Sequence, residues 1–245
     1  MDGECLHVVQ GKRFEVVDGR ELRRAAAAAE RVVVDLGAGD GRWVYRRARA
    51  HPAWVGVALD ANAAGMRETA RRAGRKPARG GAANAWFIRA MVAALPAALE
   101  GLADEVHVHL PWGSLLRAVM APEPETLRRI ARLCRPAAAV CVRVNASILN
   151  DPAVVARLSL AAAGKQSLEA RLTAAYAAAG IQVAITQTDL DLATSWARRL
   201  GAGRPMRVLA IDGTVIDPRR NEWPHGGVEA LRWYKYSRSE VPDEA

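Results

Sequence analysis

The chain has 245 residues, of which 51% are hydrophobic and 25% charged. That apolar content can offset the chain entropy of one folded domain, which excludes wholesale disorder, and the length suits one large α/β domain better than two small ones. Lys and Arg number 35 against 26 Asp and Glu, a net charge of +9, and such an excess favours an anionic partner, most simply nucleic acid.

Arginine supplies nearly all of the positive charge, since the lysines are only Lys12, Lys76, Lys165 and Lys235. A genome rich in G and C chooses Arg over Lys but does not create net charge. Cys5, Cys134 and Cys141 cannot build a disulfide framework and lack zinc-ligand spacing. A reducing cytoplasm and no metal centre are expected. No basic-then-apolar leader opens the sequence and no apolar run reaches the length of a membrane span, so neither export nor membrane association is expected.

In chain order, residues 6–17 read as a β-hairpin. His7-Val8-Val9 and Phe14-Glu15-Val16-Val17 flank the turn Gln10-Gly11-Lys12-Arg13. Residues 21–30 are alanine-rich and helical. Arg31-Val32-Val33-Val34-Asp35-Leu36 then runs straight into Gly37-Ala38-Gly39-Asp40-Gly41, with a helix over 42–50. An apolar strand, a glycine loop and a helix make one βα unit of a buried parallel sheet. Residues 54–60 form a second strand ending in an acid, and a helix is predicted over 62–75. Further strands are predicted at 85–89, 105–110, 138–144, 181–187 and 206–211. Helices are predicted at 124–135 and 167–179, the latter stopped by Gly180. The alternation predicts an α/β fold: an open, mostly parallel seven-stranded sheet with helices on both faces, preceded by the N-terminal hairpin. Residues 1–217 are expected to form a single domain. Residues 218–245 replace the periodic core pattern with Pro, Gly and the aromatics Trp223, Trp233, Tyr234 and Tyr236, and a loosely ordered tail is expected there.

The glycine loop carries the strongest chemical signal. Glycines let the backbone turn sharply and approach a ligand closely. A dinucleotide fingerprint is G-x-G-x-x-G and seats a pyrophosphate on the helix N-terminus. This loop is G-x-G-x-G with Asp40 inside it. A carboxylate there repels a pyrophosphate but accepts a cationic or zwitterionic ligand, and Asp35 points the same way. Asp60, at the end of the second strand, can accept hydrogen bonds from both ribose hydroxyls of a nucleoside cofactor. The structural alternative for Asp60 is a cap on the next helix.

Pro111-Trp112-Gly113-Ser114 lies at the carboxyl end of the fourth strand, where open α/β sheets gather ligands. Trp112 there can stack on a base; the alternative is a buried core Trp. Trp196 lies in Thr194-Ser195-Trp196-Ala197-Arg198-Arg199, with Arg204 and Arg207 close behind. One ring among cations suits a nucleic-acid contact, although a solvated basic helix face reads similarly. Arg67, Arg71, Arg72, Arg75, Lys76 and Arg79 form a second basic cluster. On the predicted helix 67, 71 and 75 share one face, and only Glu68 is near enough to neutralise them. His107 and His109 alternate along the fourth strand and read as packed or hydrogen-bonded on one of its faces.

Residues 32–42, Asp60, Leu110-Pro111-Trp112-Gly113-Ser114-Leu115-Leu116 and Thr194-Ser195-Trp196-Ala197-Arg198-Arg199-Leu200 together resemble the aminoglycoside-resistance 16S ribosomal RNA methyltransferases. The subgroup is the kanamycin–apramycin resistance family, which modifies N1 of adenine-1408. The resemblance runs from the hairpin to about residue 216 and does not reach the tail. It implies a class I, Rossmann-like fold, S-adenosylmethionine as cofactor and the assembled 30S subunit as partner of a monomeric enzyme. Gly37, Gly39 and Asp60 would hold the cofactor, with Asp35 near its methionine end and Met91, Val92 and Ala93 along its adenine. Leu110, Ser114, Leu115, Thr194 and Ser195 would close over the methionine end, and Trp112 and Trp196 would sandwich the flipped target base. Arg71, Arg72 and Lys76 would dock on the 30S surface. Arg199 and Arg204 match arginines of the last linker, whereas Pro205-Met206 interrupts the basic run before Arg207. Segments 145–166 and 188–205 would face the target. Two other classes fit the residues alone: a class I methyltransferase acting on tRNA or a small molecule, and a non-catalytic RNA-binding protein.

Overall fold

A computed structural model describes residues 5–11, 13–121, 124–158, 160, 165–190 and 206–216. The chain opens with the hairpin β1 (Cys5–Gln10) and β2 (Arg13–Asp18), then α1 (Gly19–Ala28). Asp18 caps α1 by accepting the Arg20 backbone N–H at 2.9 Å. Next come β3 (Arg31–Leu36), α2 (Arg42–Ala50), β4 (Trp54–Asp60), α3 (Arg67–Ala73) and β5 (Ala85–Arg89). The second half holds β6 (Ala103–His109), α4 (Gly113–Met120), α5 (Pro124–Leu133) and β7 (Cys134–Asn145). It ends with α6 (Pro152–Arg157), α7 (Lys165–Ala178), β8 (Ile181–Leu190) and β9 (Met206–Val215).

The strands form one sheet in the order β2-β1-β5-β4-β3-β6-β7-β9-β8. This corrects the expectation of seven mostly parallel strands: among the described residues the sheet is nine-stranded and mixed. Only β5, β4, β3, β6 and β7 run parallel. The hairpin is not an appendage, because β1 joins β5 antiparallel at Val8↔Ile88. At the other edge β9 lies antiparallel between β7 and β8, matched to β8 from Ile181↔Val215 to Leu190↔Met206. Hydrophobic pattern reports a strand but not its direction, which the connections and edge pairings decide.

Val32, Val33, Val34 and Leu36 of β3 are all buried, since layers of helix cover both faces of this part of the sheet. On one face Leu22, Leu116, Leu127, Ile130 and Leu172 pack on Val32, Val34, Val106 and Val140. On the other, Val44, Tyr45 and Ala48 of α2 pack with Met66, Ala70 and Phe87. Each fully buried Leu, Ile, Val or Phe contributes about 1.5–3 kcal/mol.

Helix α3 is shorter than the predicted 62–75. It ends where the Gly74 N–H bonds back to the Ala70 carbonyl, just before Pro77. Arg67 and Arg71 therefore stay on the helix, whereas Arg75, Lys76 and Arg79 follow it and do not extend its face. The described residues of the linker 145–166 include a 3-10 turn at Ala146–Asn150 and then α6. The expected tail 218–245, and 191–205 of the other linker, lie outside the described residues.

Beyond β3 the chain builds outward through β4 and β5, then crosses back to place β6 and β7 on the opposite side of β3. The carboxyl ends of β3 and β6 are thus a topological switch point, where open α/β sheets bind ligands.

Candidate active site

The loop after β3 is pinned to the end of β4. The Gly37 and Ala38 N–H groups both donate to the Leu59 carbonyl, at 2.8 and 3.0 Å, and the Gly39 N–H donates to Asp60 Oδ2 at 2.8 Å. Gly37 has φ 78° and Gly39 φ 60°, a region open to glycine at little cost. A Cβ at Gly37 would lie 2.4 Å from Leu115 Cδ2, while one at Gly39 would meet nothing within 4 Å. Gly37 thus allows α4 to close in, and Gly39 borders open space. Asp60 does not cap α3, whose N-cap is Met66. Its Oδ1 instead accepts the Asn62 N–H at 2.7 Å. Each carboxylate oxygen holds one backbone N–H and retains a lone pair for a ligand.

Beneath the loop lies a buried polar group. Asp35 is 2% exposed, and His109 Nδ1 lies 3.0 Å from its Oδ1. The Trp43 ring, from the first turn of α2, sits over both histidines at 4.6 Å from His107 and 4.8 Å from His109. His107 Nε2 contacts Glu105 Oε2 at 2.9 Å, and Arg31 also pairs with Glu105. Burial alone would raise the Glu105 carboxyl, but the His107 contact and the Arg31 guanidinium outweigh it and hold the group at about 2. Burial pushes the His107 imidazole down, against the pull of Glu105. The alternation of His107 and His109 on one strand face is as expected.

The wall is made at the end of β6. Leu110 has φ 48°, a left-handed conformation that costs a non-glycine residue about 1–2 kcal/mol. Its N–H donates to the Arg143 carbonyl at 2.7 Å, and Pro111 follows. This bend turns the chain outward, and Trp112 emerges 47% exposed. A buried core Trp is thereby excluded.

A cavity of about 690 Å³ lies between these elements, within the usual range for small-molecule sites. Asp35, Gly37, Gly39 and Asp60 line it from the glycine side, and Met91, Val92 and Ala93 from the segment after β5. Leu110, Trp112, Ser114 and Leu115 line it from the α4 side. Every cofactor candidate within the described residues therefore meets in one place. Thr194, Ser195, Trp196, Arg199 and Arg204 lie outside the described residues. Sequence reasoning missed Trp43 and the cavity role of His109, both of which line the same space. Position in the first turn after the glycine loop was the available signal for Trp43.

Among the described residues the docking candidates Arg71, Arg72, Lys76 and Arg207 lie apart from this lining. Arg71 is bidentate to Glu68, at 2.9 and 2.6 Å, and Arg72 lies over the Tyr45 ring at 5.2 Å. Arg67 covers the exposed Phe14 ring of the hairpin at 5.7 Å. Arg207 sits on β9, 71% exposed and 3.9 Å from Asp189.

Residues 7–215 match the family model "NpmA: 16S rRNA (adenine(1408)-N(1))-methyltransferase". The chain belongs to this family of 16S rRNA methyltransferases. A 16S rRNA (adenine(1408)-N(1))-methyltransferase from Streptoalloteichus hindustanus is 37% identical over 213 residues, which span 84% of this chain and 98% of the relative. The solved structure of a mutant of the same enzyme type from Catenulisporales acidiphilia, with the cosubstrate SAM, matches with a TM-score of 0.75 and 38% identity. It covers 89% of this chain and 100% of that one. The 16S rRNA methyltransferase KamB matches with a TM-score of 0.75 and 35% identity over 86% of this chain and 100% of its own.

For a methyltransferase of this family the cavity suits S-adenosylmethionine. Asp60 and Asp35 place two carboxylates along its lining, chemistry able to accept from hydroxyls and to attract a cation. The open side of Gly39 leaves room for a ligand between them. Helices long and apolar enough to cross a membrane are absent among the described residues.

Proposed function

We propose that this chain transfers a methyl group from S-adenosylmethionine to N1 of adenine-1408 in 16S rRNA of the assembled 30S subunit. The observation that carries the reading is the cavity at the switch point, which joins Asp35, the glycine loop and Asp60 to the half-exposed Trp112 in a chain of this family. When bound, the cosubstrate supplies an electrophilic sulfonium methyl group. Asp35 would hold its cationic end and Asp60 its ribose, with Met91, Val92 and Ala93 beside its adenine.

Adenine N1 carries a lone pair at neutral pH, so the reaction requires no general base. The protein's task is to hold the base out of its helix with N1 in line with the methyl group. Trp112, joined by Trp196, would stack the base on two indole faces, which also favour the positive charge left on the product. Arg71, Arg72, Lys76, Arg199, Arg204 and Arg207 would hold rRNA phosphates. Residues 1–217 would work as one monomeric unit, with resistance to kanamycin and apramycin as the cellular consequence.

The test separates binding from transfer. Loss of one stacking face should cut methyl transfer to 30S about ten- to hundredfold in Trp112→Ala or Trp196→Ala. Affinity for S-adenosylmethionine should stay nearly unchanged. Equal loss of both would contradict the sandwich.

A further inference from the structure

The floor of the cavity contains an acid–imidazole pair that the transfer chemistry above does not use. Asp35 and His109 come from adjacent parallel strands, β3 and β6. Their side chains are nearly sealed, at 3% and 9% exposure, and meet at 3.0 Å. Both line the cavity. The surrounding charges are already matched with one another. Glu105 is held by Arg31 and His107. On β7 the residue opposite His109 is Arg143, which pairs with Asp212 of β9 at 2.7 Å. Cys141, opposite His107, has its thiol pushed up to about 12, first by burial and then by Asp212, and so stays neutral. From α2 the Trp43 ring faces His109, with the Arg47 guanidinium on that ring at 5.3 Å. Asp40, in the glycine loop, pairs with Arg42 at 3.6 Å. The ion-pair partner that the fold provides for the buried Asp35 is His109.

We propose that His109 is a positioning residue for the cosubstrate: it fixes the Asp35 carboxylate and, as an imidazolium, stands in for the ligand's cationic end until that end arrives. The proposal rests on the reading of this cavity as a site for S-adenosylmethionine with its ammonium or sulfonium toward Asp35. A buried carboxylate without a cation or hydrogen-bond donor is costly, and two cations crowding one carboxylate repel each other. Binding of the cation therefore expels the proton on His109 Nε2 to solvent, and the neutral imidazole keeps its Nδ1–H on Asp35 Oδ1. Histidine is the side chain suited to such an exchange near neutral pH.

Calorimetry of S-adenosylmethionine binding to the full chain, in two buffers of different ionisation enthalpy at pH 6.0 and 8.0, counts the protons released. Wild type should release protons at pH 6.0 that His109→Asn does not release; at pH 8.0 the net exchange should be that of the ligand's own α-amino group, which titrates at about 7.7–8.0, and should be the same in both proteins. 5′-Methylthioadenosine, which has neither ammonium nor sulfonium, should release none at either pH. His109→Asn keeps a neutral donor, so it should bind within a few-fold of wild type at pH 8.0, with no proton release at pH 6.0. His109→Phe loses the donor and should raise KM for the cosubstrate about tenfold, more than it lowers kcat, as expected for one hydrogen bond to a charged group. Wild-type binding without proton release at pH 6.0, or a His109→Asn protein that releases protons there as wild type does, would overturn the proposal and leave the cofactor reading intact. Failure of wild type to bind S-adenosylmethionine at all would overturn that reading and this proposal with it.

Discussion

Gly37 and Glu105 show how single residues set the site. At Gly37 a side chain must both adopt φ 78° and displace Leu115. Leu115 Cδ2 is the end of a flexible side chain and can yield, so the backbone conformation dominates. Gly37→Ala should lower stability by about 1–2 kcal/mol and weaken cosubstrate binding, as thermal melts and titration would read. Glu105 gives a pH prediction. Its carboxyl titrates at about 2 in the folded protein, against an ordinary 4.5. A depressed folded value means that its contribution to stability is present above 4.5 and is lost as pH falls from there toward 2. Glu105→Gln should flatten the acid limb of a stability–pH curve across that window; an unchanged limb would show that Arg31 and His107 do not hold this charge. Residue-scale legibility was uneven. Asp35, Asp60 and Trp112 could be placed because each ends a strand or follows one. Trp43 was less legible: its place just after the glycine loop was a signal, but its contact with His107 and His109 depends on how α2 packs on the sheet.

Elements were legible where the pattern is local. The run Val32-Val33-Val34 into the glycine loop announces β3 and α2 together, and the alternation in residues 6–17 announces the hairpin. The pattern failed where distant contacts decide. Strand β7 starts at Cys134, earlier than the apolar run suggests, because Ala103↔Cys134 pairing draws its first residues into the sheet. Helix α3 ends early because Gly74 and Pro77 outweigh the surrounding Ala and Arg. That shortening bears on RNA docking. Arg71 is shared with Glu68 at 2.6 Å, whereas Lys76 lies past the helix end in the turn before Pro77. Arg72→Glu and Lys76→Glu should each weaken 30S binding and reduce the slope of log affinity against log salt by about 1 or more. Glu68→Gln should strengthen binding slightly by releasing Arg71. A salt slope unmoved by both charge reversals would place the docking surface elsewhere.

At the scale of the whole molecule, the net charge of +9 and the switch-point cavity point to one activity, with a polyanion brought to a cationic methyl donor. The mixed nine-stranded sheet supplies the frame: parallel strands present their carboxyl ends to the cavity, and antiparallel pairs close both edges. Its mixed character was not legible because strand direction is carried by pairing partners such as Val8↔Ile88, far apart in sequence. The family match ends at residue 215, and Ile216 still bonds to Gly180 at 2.8 Å. Truncation after Ile216 should therefore leave methyl transfer to 30S largely intact. The most direct measurement is methyl transfer from radiolabelled S-adenosylmethionine to intact 30S subunits, with free 16S rRNA, tRNA and a no-RNA control alongside, followed by primer extension. A single new stop at adenine-1408, found only with assembled 30S, is the predicted result, because N1 methylation blocks base pairing. Labelling of tRNA instead, or of no RNA by a protein that binds the cosubstrate, would contradict the ribosomal assignment.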